Sequence, residues 1–415
     1  MNQATRDFIQ AHKADNVHTL ALHRAPEGVD LRLALMQIEG LQLAAHKLPI
    51  WAACADILFP QRLALEQCSS QQTSSYKRLL AEHLIAGAST EKSHFIDLTG
   101  GFGVDFAAMA PLFRSAVYVE HQETLCQLAR HNFACLGLDN VEEICSEAQQ
   151  ILDNAAAQEH YSLIFIDPAR RDAAGRKVAL IEDCTPDVCV LQSSLRQLSD
   201  WIMIKLSPML DITAALRALN GIREVHVVSL DGECKELLFL MAGDAQHLTP
   251  LSVDDVRICC IDLSNNSSFS FTRADEANST ASYQNAPSLL HSGSYLYEPN
   301  ASIMKAGAFN TLCNRYPVSK LAPMSHLYVA NSLIADFPGR IWCIQDTSTF
   351  AKADLRSMLK DVRGAELAVR GFPMSVAQLR RQLHLPDGGE AHLIATTLAD
   401  GTRLLIRTTL YCPPT

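Results

Sequence analysis

The chain has 415 residues, 48% of them hydrophobic, and a formal net charge of −10. That length and apolar content support two or three domains with real cores, and the acidic balance argues against a protein that coats nucleic acid without sequence preference. No apolar run approaches the roughly 20 residues of a membrane span, and Met1-Asn2-Gln3-Ala4-Thr5-Arg6-Asp7 has neither the basic start nor the apolar stretch of a secretion signal.

Residues 1 to about 90 read as a helical region. Apolar positions recur three and four apart from Leu31 through Ala44, and Pro26-Glu27-Gly28 and Pro49 punctuate the pattern. The hydroxyl-rich passage 65–77 has two readings. One is an N-cap and loop ahead of a helix; the other is a rim over a ligand pocket, with Ser70, Thr73 and Lys77 as polar contacts.

An α/β domain is expected from about 91 to 245. A strand-like stretch through His94 and Phe95 enters Ile96-Asp97-Leu98-Thr99-Gly100-Gly101-Phe102-Gly103-Val104-Asp105, then a helix-like run over 106–110. A carboxylate at a strand tip, a turn of small residues and a helix is how an α/β sheet receives a nucleoside-bearing cofactor. Glycines there let backbone approach where a Cβ would collide. The spacing does not fit the G-x-G-x-x-G of dinucleotide sites. It resembles the acidic-x-G-x-G-x-G pattern of S-adenosylmethionine methyltransferases, with Asp97, Gly101 and Gly103 in place and Thr99 where the first glycine would stand. Ser115–Glu120 is a second strand, ending in a carboxylate 23 residues after Asp97, where an acid can accept both ribose hydroxyls.

A helix over 124–136 with Gly137 as its C-cap leads to a weak strand at 141–144. Glu147-Ala148 follows, where such methyltransferases hold a residue near the adenine amino group. A buried-strand run at 162–166 closes on Asp167-Pro168-Ala169-Arg170-Arg171-Asp172. Base-modifying methyltransferases often carry Asp/Asn-Pro-Pro-aromatic here, and the uracil-5 class Asp-Pro-Pro-Arg; Ala169 and Arg170 depart from both. A helix closing over 198–201 precedes a strand at 202–208 and a helix at 210–219, and strands at 224–230 and 234–241 pair around Asp231-Gly232. An antiparallel last pair separates this arrangement from dinucleotide dehydrogenases, whose sheets are all parallel.

The segment 246–294 turns polar. Strands at 256–263 and 268–272 precede a Ser-, Asn- and Ala-rich surface loop at 274–294, which marks a domain boundary. A small module over 295–340 opens with Tyr295-Leu296-Tyr297-Glu298-Pro299-Asn300 and a helix over 303–313. The rest, 341–415, alternates helix-like 353–359 and 376–383 with strand-like 366–369, 392–397 and 403–408. Two helices against a small sheet suggest a ferredoxin-like or THUMP-type RNA-binding module. Residues 352–381 hold seven Lys or Arg against three acids, so Arg363, Arg370, Arg380 and Arg381 with Phe372 are candidates for an RNA-tracking, base-stacking surface. The 13 cysteines are scattered through strand-like and helix-like stretches, which suits reduced thiols in a cytoplasmic protein, and their spacing offers no zinc site.

Taken with Ile166-Asp167-Pro168-Ala169-Arg170-Arg171, Leu296-Tyr297-Glu298-Pro299-Asn300-Ala301 and Arg370-Gly371-Phe372-Pro373, the loop Asp97 to Asp105 resembles one bacterial family. This is the class I S-adenosylmethionine-dependent methyltransferases with a C-terminal THUMP-like domain. The resemblance implies a Rossmann-like sheet, parallel with an antiparallel last strand, a helical N-terminal region, a small ferredoxin-like insert and an α+β THUMP-like tail. It implies S-adenosyl-L-methionine as cofactor, with Asp97, Thr99, Gly100, Gly101, Gly103, Asp105, Glu120, Glu147 and Ala148 as the residues around it. THUMP domains present structured RNA, chiefly tRNA, to attached modifying enzymes, so an RNA substrate is suggested.

At the acceptor end, methyl transfer needs positioning, exclusion of water and management of one proton. Asp167, with the Pro168 carbonyl, is placed to accept an N–H. Arg170 and Arg171 can clamp a phosphate or pair with Asp172 or Glu182. Lys205 leaves its strand near the same pocket, to meet the acceptor or to pair with Glu233 or Glu236. Carbon-5 methylation needs a cysteine nucleophile, and Cys184 and Cys189 sit in no such signature, which favours nitrogen. The expectation is a methyltransferase for a base in tRNA or rRNA. A protein or small-molecule methyltransferase, and a non-catalytic binder of cofactor or RNA, are the alternatives.

Overall fold

The computed structural model describes residues 1–86, 93–154, 160–169, 180–283 and 286–412. The helical start expected from the apolar periodicity is α1 (Gln3–His12), α2 (Val17–Leu20), α3 (Leu31–Lys47), α4 (Pro49–Ala53), α5 (Arg62–Gln67) and α6 (Gln71–Leu84). Asn2, Asn16, Asp30 and Ser70 cap α1, α2, α3 and α6 by accepting first-turn backbone N–H groups, which fixes where each helix begins.

The sheet that follows is β1 (His94–Asp97), β2 (Ser115–Glu120), β3 (Val141–Cys145), β4 (Tyr161–Ile166), β5 (Ser199–Leu206), β6 (Ile222–Leu230) and β7 (Glu233–Ala242). Its helices are α7 (Val104–Met109), α8 (Glu123–Cys135), α9 (Ala148–Asn154), α10 (Val188–Leu198) and α11 (Ile212–Ala218). Strands β3-β2-β1-β4-β5 are parallel, β7 and then β6 follow with β7 antiparallel to β5, and the two strands after β7 in the chain extend the same sheet beyond β6. This is the sheet expected from the sequence. Chain order reverses between β1 and β4, so the loops after Asp97 and Ile166 leave the carboxyl ends of adjacent strands, where open α/β sheets bind ligands. One local expectation fails: Ser199 to Trp201 are strand, because Tyr161 and Leu163 of β4 take Ser199 and Trp201 as ladder partners.

The helical region is fastened to this sheet by apolar and amide contacts. Trp51, Phe59 and Leu65 share a core with Phe102 and Val104 at the glycine loop, and the rings of Trp51 and Phe102 lie 4.8 Å apart. Leu58 and Phe59 have no strand neighbour; two side-chain amides stand in for one. Gln37 on α3 bonds the Phe59 N–H (2.8 Å) and C=O (2.9 Å). Asn132 on α8, fully buried, does the same for Leu58 at 2.9 Å each.

Contacts divide the chain into Met1–Val225 with Glu236–Leu251, and His226–Lys235 with Ser252–Thr415. The second unit begins at the tip of the β6–β7 hairpin, where Asp231 and Gly232 both take positive φ (54° and 77°), the geometry of a tight two-residue turn. It continues through the antiparallel pair β8 (Arg257–Asp262) and β9 (Ser267–Phe271). The segment expected as a surface loop contains α12 (Arg273–Asn278), opened by a capping box between Thr272 and Asp275. There the Ser/Asn/Thr composition encodes caps rather than slack.

The remaining elements are β10 (Tyr295–Pro299), α13 (Ala301–Ala306), α14 (Thr311–Arg315), β11 (Ser319–Lys320), β12 (Tyr328–Ala330), β13 (Gly339–Thr349), α15 (Lys352–Met358), β14 (Ala365–Arg370), α16 (Val376–Leu383), β15 (Ala391–Thr397) and β16 (Arg403–Leu410). The single helix expected over 303–313 is two, because Gly307 at φ 82° ends α13. Glu276 of α12 then caps α14, taking the backbone N–H groups of Asn310 and Thr311 and the Thr311 hydroxyl. The sheet runs β11-β12-β10-β13-β16-β15-β14, antiparallel except for β14 beside β15. β13 pairs with β10 on one side and β16 on the other, so the modules expected at 295–340 and 341–415 form one sheet. Among the described residues no helix is long and apolar enough to cross a membrane.

Replacing Asn132 by Leu leaves both backbone groups of Leu58 without partners, at about 1–3 kcal/mol each. The expected loss is about 2–6 kcal/mol in a denaturant titration, with the far-ultraviolet spectrum of the native protein unchanged.

Candidate active site

The turn after β1 is built by continuing the sheet's hydrogen bonds. Leu98 N–H donates to Phe165 O (3.0 Å) and Gly100 N–H to Val119 O (2.8 Å), so the loop leaves the sheet tied to both neighbouring strands. A Cβ at Gly100 would lie 2.1 Å from the Tyr118 ring, and one at Gly103 (φ 87°) 2.7 Å from Phe133. At those two glycines the space a side chain would need is filled by buried rings. Gly101 is different: at φ 56° its Cβ direction meets nothing nearer than 3.8 Å. Its N–H donates to Glu120 Oε2 (2.9 Å) and its carbonyl accepts from the Tyr118 hydroxyl (2.5 Å). This loop is therefore fixed in shape, with open space beside the one glycine that faces it.

Thr99, in the place of the first glycine, ties two strand tips together. Its hydroxyl accepts the Asp167 N–H (2.6 Å) and donates to Asp97 Oδ1 (3.4 Å), while its own N–H donates to the same oxygen at 2.9 Å. Asp97 is buried, and burial holds its carboxyl well above the usual range; the Thr99 N–H opposes this, and Asp105, Asp167 and Glu120 add to it. Glu120, also buried, accepts from Gln122 N–H (2.9 Å) as well as from Gly101. Ser146 N–H donates to Glu120 O, which brings the exposed Glu147 and the buried Ala148 to the neighbouring strand end.

Lys205 on β5 contacts Asp167 Oδ2 through its ammonium. Burial pulls the Lys205 pKa down, but Asp167, then Asp105 and Glu236, outweigh it and raise it. No described residue bonds Asp167 Oδ1. Pro168 is buried and Ala169 is bridged to Thr185 by hydrogen bonds of 2.7 and 3.0 Å, which anchors the loop just beyond the carboxylate. Arg170, Arg171 and Asp172 lie outside the described residues. Cys184 is buried, and burial pushes the Cys189 thiol up to about 11, so Cys189 offers no ready thiolate at neutral pH.

Lys205 does not pair with Glu233, which holds Lys235 at 2.7 Å, and Glu236 belongs to Lys77. Lys77 is fully buried and donates to both Glu236 oxygens at 2.7 Å and to Ser69 Oγ at 3.1 Å. Asp105 joins this group instead of the glycine loop: Oδ2 accepts from Ser69 Oγ (2.7 Å), and Oδ1 lies 3.2 Å from Lys77 Nζ. Ser70 and Thr73 form the capping box of α6. The hydroxyl-rich passage is thus an N-cap, and its lysine points into the protein rather than over a pocket. Sequence reasoning offers Glu236 only as a partner for Lys205 and misses Lys77, although a carboxylate heading the apolar run Leu237-Leu238-Phe239 is a signal that a buried partner exists.

In the tail, part of the basic segment is committed internally. Arg370 pairs with Glu298 and Arg380 with Asp387, each at 2.5 Å, and Phe372 stacks on Phe350 with centroids 5.0 Å apart. Lys352, Arg356, Lys360, Arg363 and Arg381 are exposed, and no ion pair holds them among the described residues.

The raised Asp97 carboxyl carries a pH signature. A group whose folded pKa exceeds its unfolded value adds stability below the unfolded pKa, about 4, and loses it as pH rises through the folded value. Stability of the native protein relative to Asp97→Asn should therefore fall as pH increases above about 4, read as the difference between the two denaturant midpoints across pH.

Two family models match the tail: a ferredoxin-like domain over residues 295–338 and a THUMP domain-like one over 339–409. A crystal structure described as that of a methyltransferase from Porphyromonas gingivalis W83 is 31% identical, covering 99% of this chain and 98% of that one, with a TM-score of 0.84. An uncharacterized S-adenosylmethionine-dependent methyltransferase of Mycobacterium tuberculosis is 23% identical over 364 residues, 87% of this chain and 91% of that one. With the β3-β2-β1-β4-β5-β7-β6 sheet and its glycine loop, this places the chain in the class I S-adenosylmethionine-dependent methyltransferases with a C-terminal THUMP-like domain.

Proposed function

We propose that this methyltransferase modifies a base nitrogen in structured RNA, tRNA or rRNA, with Asp167 as the group that receives the acceptor. The observation that carries the reading is the division of labour on that carboxylate. Lys205 takes Oδ2, while no described residue takes Oδ1, at the point where the strand order reverses. Oδ1 can accept an exocyclic N–H and orient the nitrogen lone pair, with the Pro168 carbonyl as a second acceptor.

The residues around the loop suit the cofactor. Gly101 borders open space, and the buried acids Asp97 and Glu120 stand at the two strand ends beside it. In this reading Glu120 meets the ribose hydroxyls, Glu147 and Ala148 the adenine edge, and the Gly101 backbone and Asp97 the amino-acid end. S-adenosylmethionine, when bound, supplies an electrophilic methyl group on a sulfonium. The chain holds the acceptor in line and keeps water out, and Asp167 takes up the proton that the nitrogen sheds, either directly or in transit to solvent. The raised Cys189 thiol and the burial of Cys184 support nitrogen over ring carbon as the acceptor. The THUMP-like match and the exposed Lys352, Arg356, Lys360, Arg363 and Arg381 support RNA as the substrate class.

The test is methylation of total RNA from a strain lacking the gene, with purified protein and radiolabelled S-adenosylmethionine. Label in an RNA band of defined size is the expected result. Label only in nuclease-resistant material would replace RNA by a protein or small-molecule acceptor. Asp167→Asn should lower kcat by about 100-fold or more, with cofactor affinity in calorimetry close to that of the native protein. Neutralising Lys360 and Arg363 together should weaken RNA binding by the full chain and flatten its dependence on salt concentration.

A further inference from the structure

Lys205 has more than one carboxylate to choose from. It lies opposite Leu238 in the β5–β7 ladder, and Leu206 lies opposite Leu237. Side chains alternate along a strand, so Glu236, two residues from Leu238, shares a face of the sheet with Lys205. Asp105 of α7 adds a third carboxylate close enough to act on the same ammonium. The observed partner is nevertheless Asp167. What separates the competitors from Lys205 is Lys77. Its ammonium donates to both Glu236 oxygens at 2.7 Å, lies 3.2 Å from Asp105 Oδ1, and has its third donor on Ser69.

We propose that Lys77, a residue of the N-terminal helical region, is a positioning residue for methyl transfer: by holding Glu236 and Asp105 it leaves Lys205 to Asp167. The role rests on the reading of Asp167 given above and names a contributor from outside the sheet that binds the cofactor. Removing the Lys77 charge strands Glu236 in the protein interior, where an unpaired carboxylate is costly. Among the described residues, the cation that acts on Glu236 next after Lys77 is Lys205. Once Lys205 turns to Glu236, Asp167 loses the ammonium that fixes one of its oxygens, and its carboxyl titrates higher. Burial already holds the Glu236 carboxyl above its ordinary range, with Lys77 and then Lys205 opposing, in keeping with a group that needs a cation. Among the described residues, the charged groups that bear on Asp167 and on its partner come from several elements. Asp97 of β1 and Lys205 of β5 act on Asp167, while Asp105 of α7, Glu236 of β7 and Lys47 of α3 act on Lys205.

The experiment reads the Asp167 carboxyl directly, by carbon-13 NMR of the full-length protein labelled at aspartate Cγ, with Asp167→Asn assigning the signal. It needs no acceptor substrate. In Lys77→Met the Asp167 midpoint should rise by about 1 pH unit or more, the size expected when an adjacent cation is lost. In Lys77→Arg, and in Lys77→Met/Glu236→Gln/Asp105→Asn, where both competitors are neutral, it should return to the native value. A Lys77→Met protein that is folded and leaves the Asp167 midpoint unmoved overturns the proposal. If Lys77→Met does not fold, the triple variant decides, since it buries no orphaned carboxylate; a raised Asp167 midpoint there would show that Lys77 does not act through Glu236 and Asp105. The reading of Asp167 itself fails on a different result, an Asp167→Asn enzyme that methylates as fast as the native one.

Discussion

The structure depends most on a constraint of solvation. Lys77 and Glu236 are removed from water almost completely, and ions so placed persist only when each has its counter-charge and its hydrogen bonds; breaking such a pair costs about 3–5 kcal/mol. One partner sits on α6, ahead of the sheet, and the other on β7, its antiparallel strand. Neither position is tolerable without the other. The helical region is for that reason a component of the catalytic fold and not an appendage to it, a conclusion that the amide contacts of Gln37 and Asn132 and the Trp51 core reach independently.

The glycine loop shows how a shared motif divides its labour. Gly100 and Gly103 are glycine because Tyr118 and Phe133 occupy the space a side chain would take, and Gly101 because its backbone turns through positive φ beside open space. Thr99 contributes a hydroxyl that links the carboxylate of β1 to the backbone of the Asp-Pro loop, a link a glycine could not make. A departure from the motif at the first position thereby joins its two halves.

Much of this was legible in the sequence, for reasons that differ by element. The strands at 94–97, 115–120 and 161–166 announce themselves by apolar runs that end on or just before an acid. The antiparallel pair was visible in Asp231-Gly232. The loop expected at 274–294 misled because Ser, Thr and Asn signal caps as readily as slack, and only Thr272 with Asp275 at capping-box spacing distinguishes the two. The charge cluster was hidden for a different reason. Lys77 and Glu236 are 159 residues apart, and nothing local marks a lysine on a polar helix as the one turned inward. Asp105 was drawn toward the cofactor by proximity in sequence, whereas its partners Ser69 and Lys77 come from the preceding helix and its cap. In the tail, counting basic residues could not tell Arg370 and Arg380, which hold acids of their own module, from those left facing water.

The β13 strand has a consequence for the integrity of the tail. It gives one edge to β10 and the other to β16, so the ferredoxin-like and THUMP-like segments meet along a row of main-chain hydrogen bonds rather than at a linker. Cutting between them would bare the donors and acceptors of Tyr295–Pro299 and create an adhesive strand edge. Each segment therefore covers a strand edge of the other, and the two stand or unfold as a single sheet.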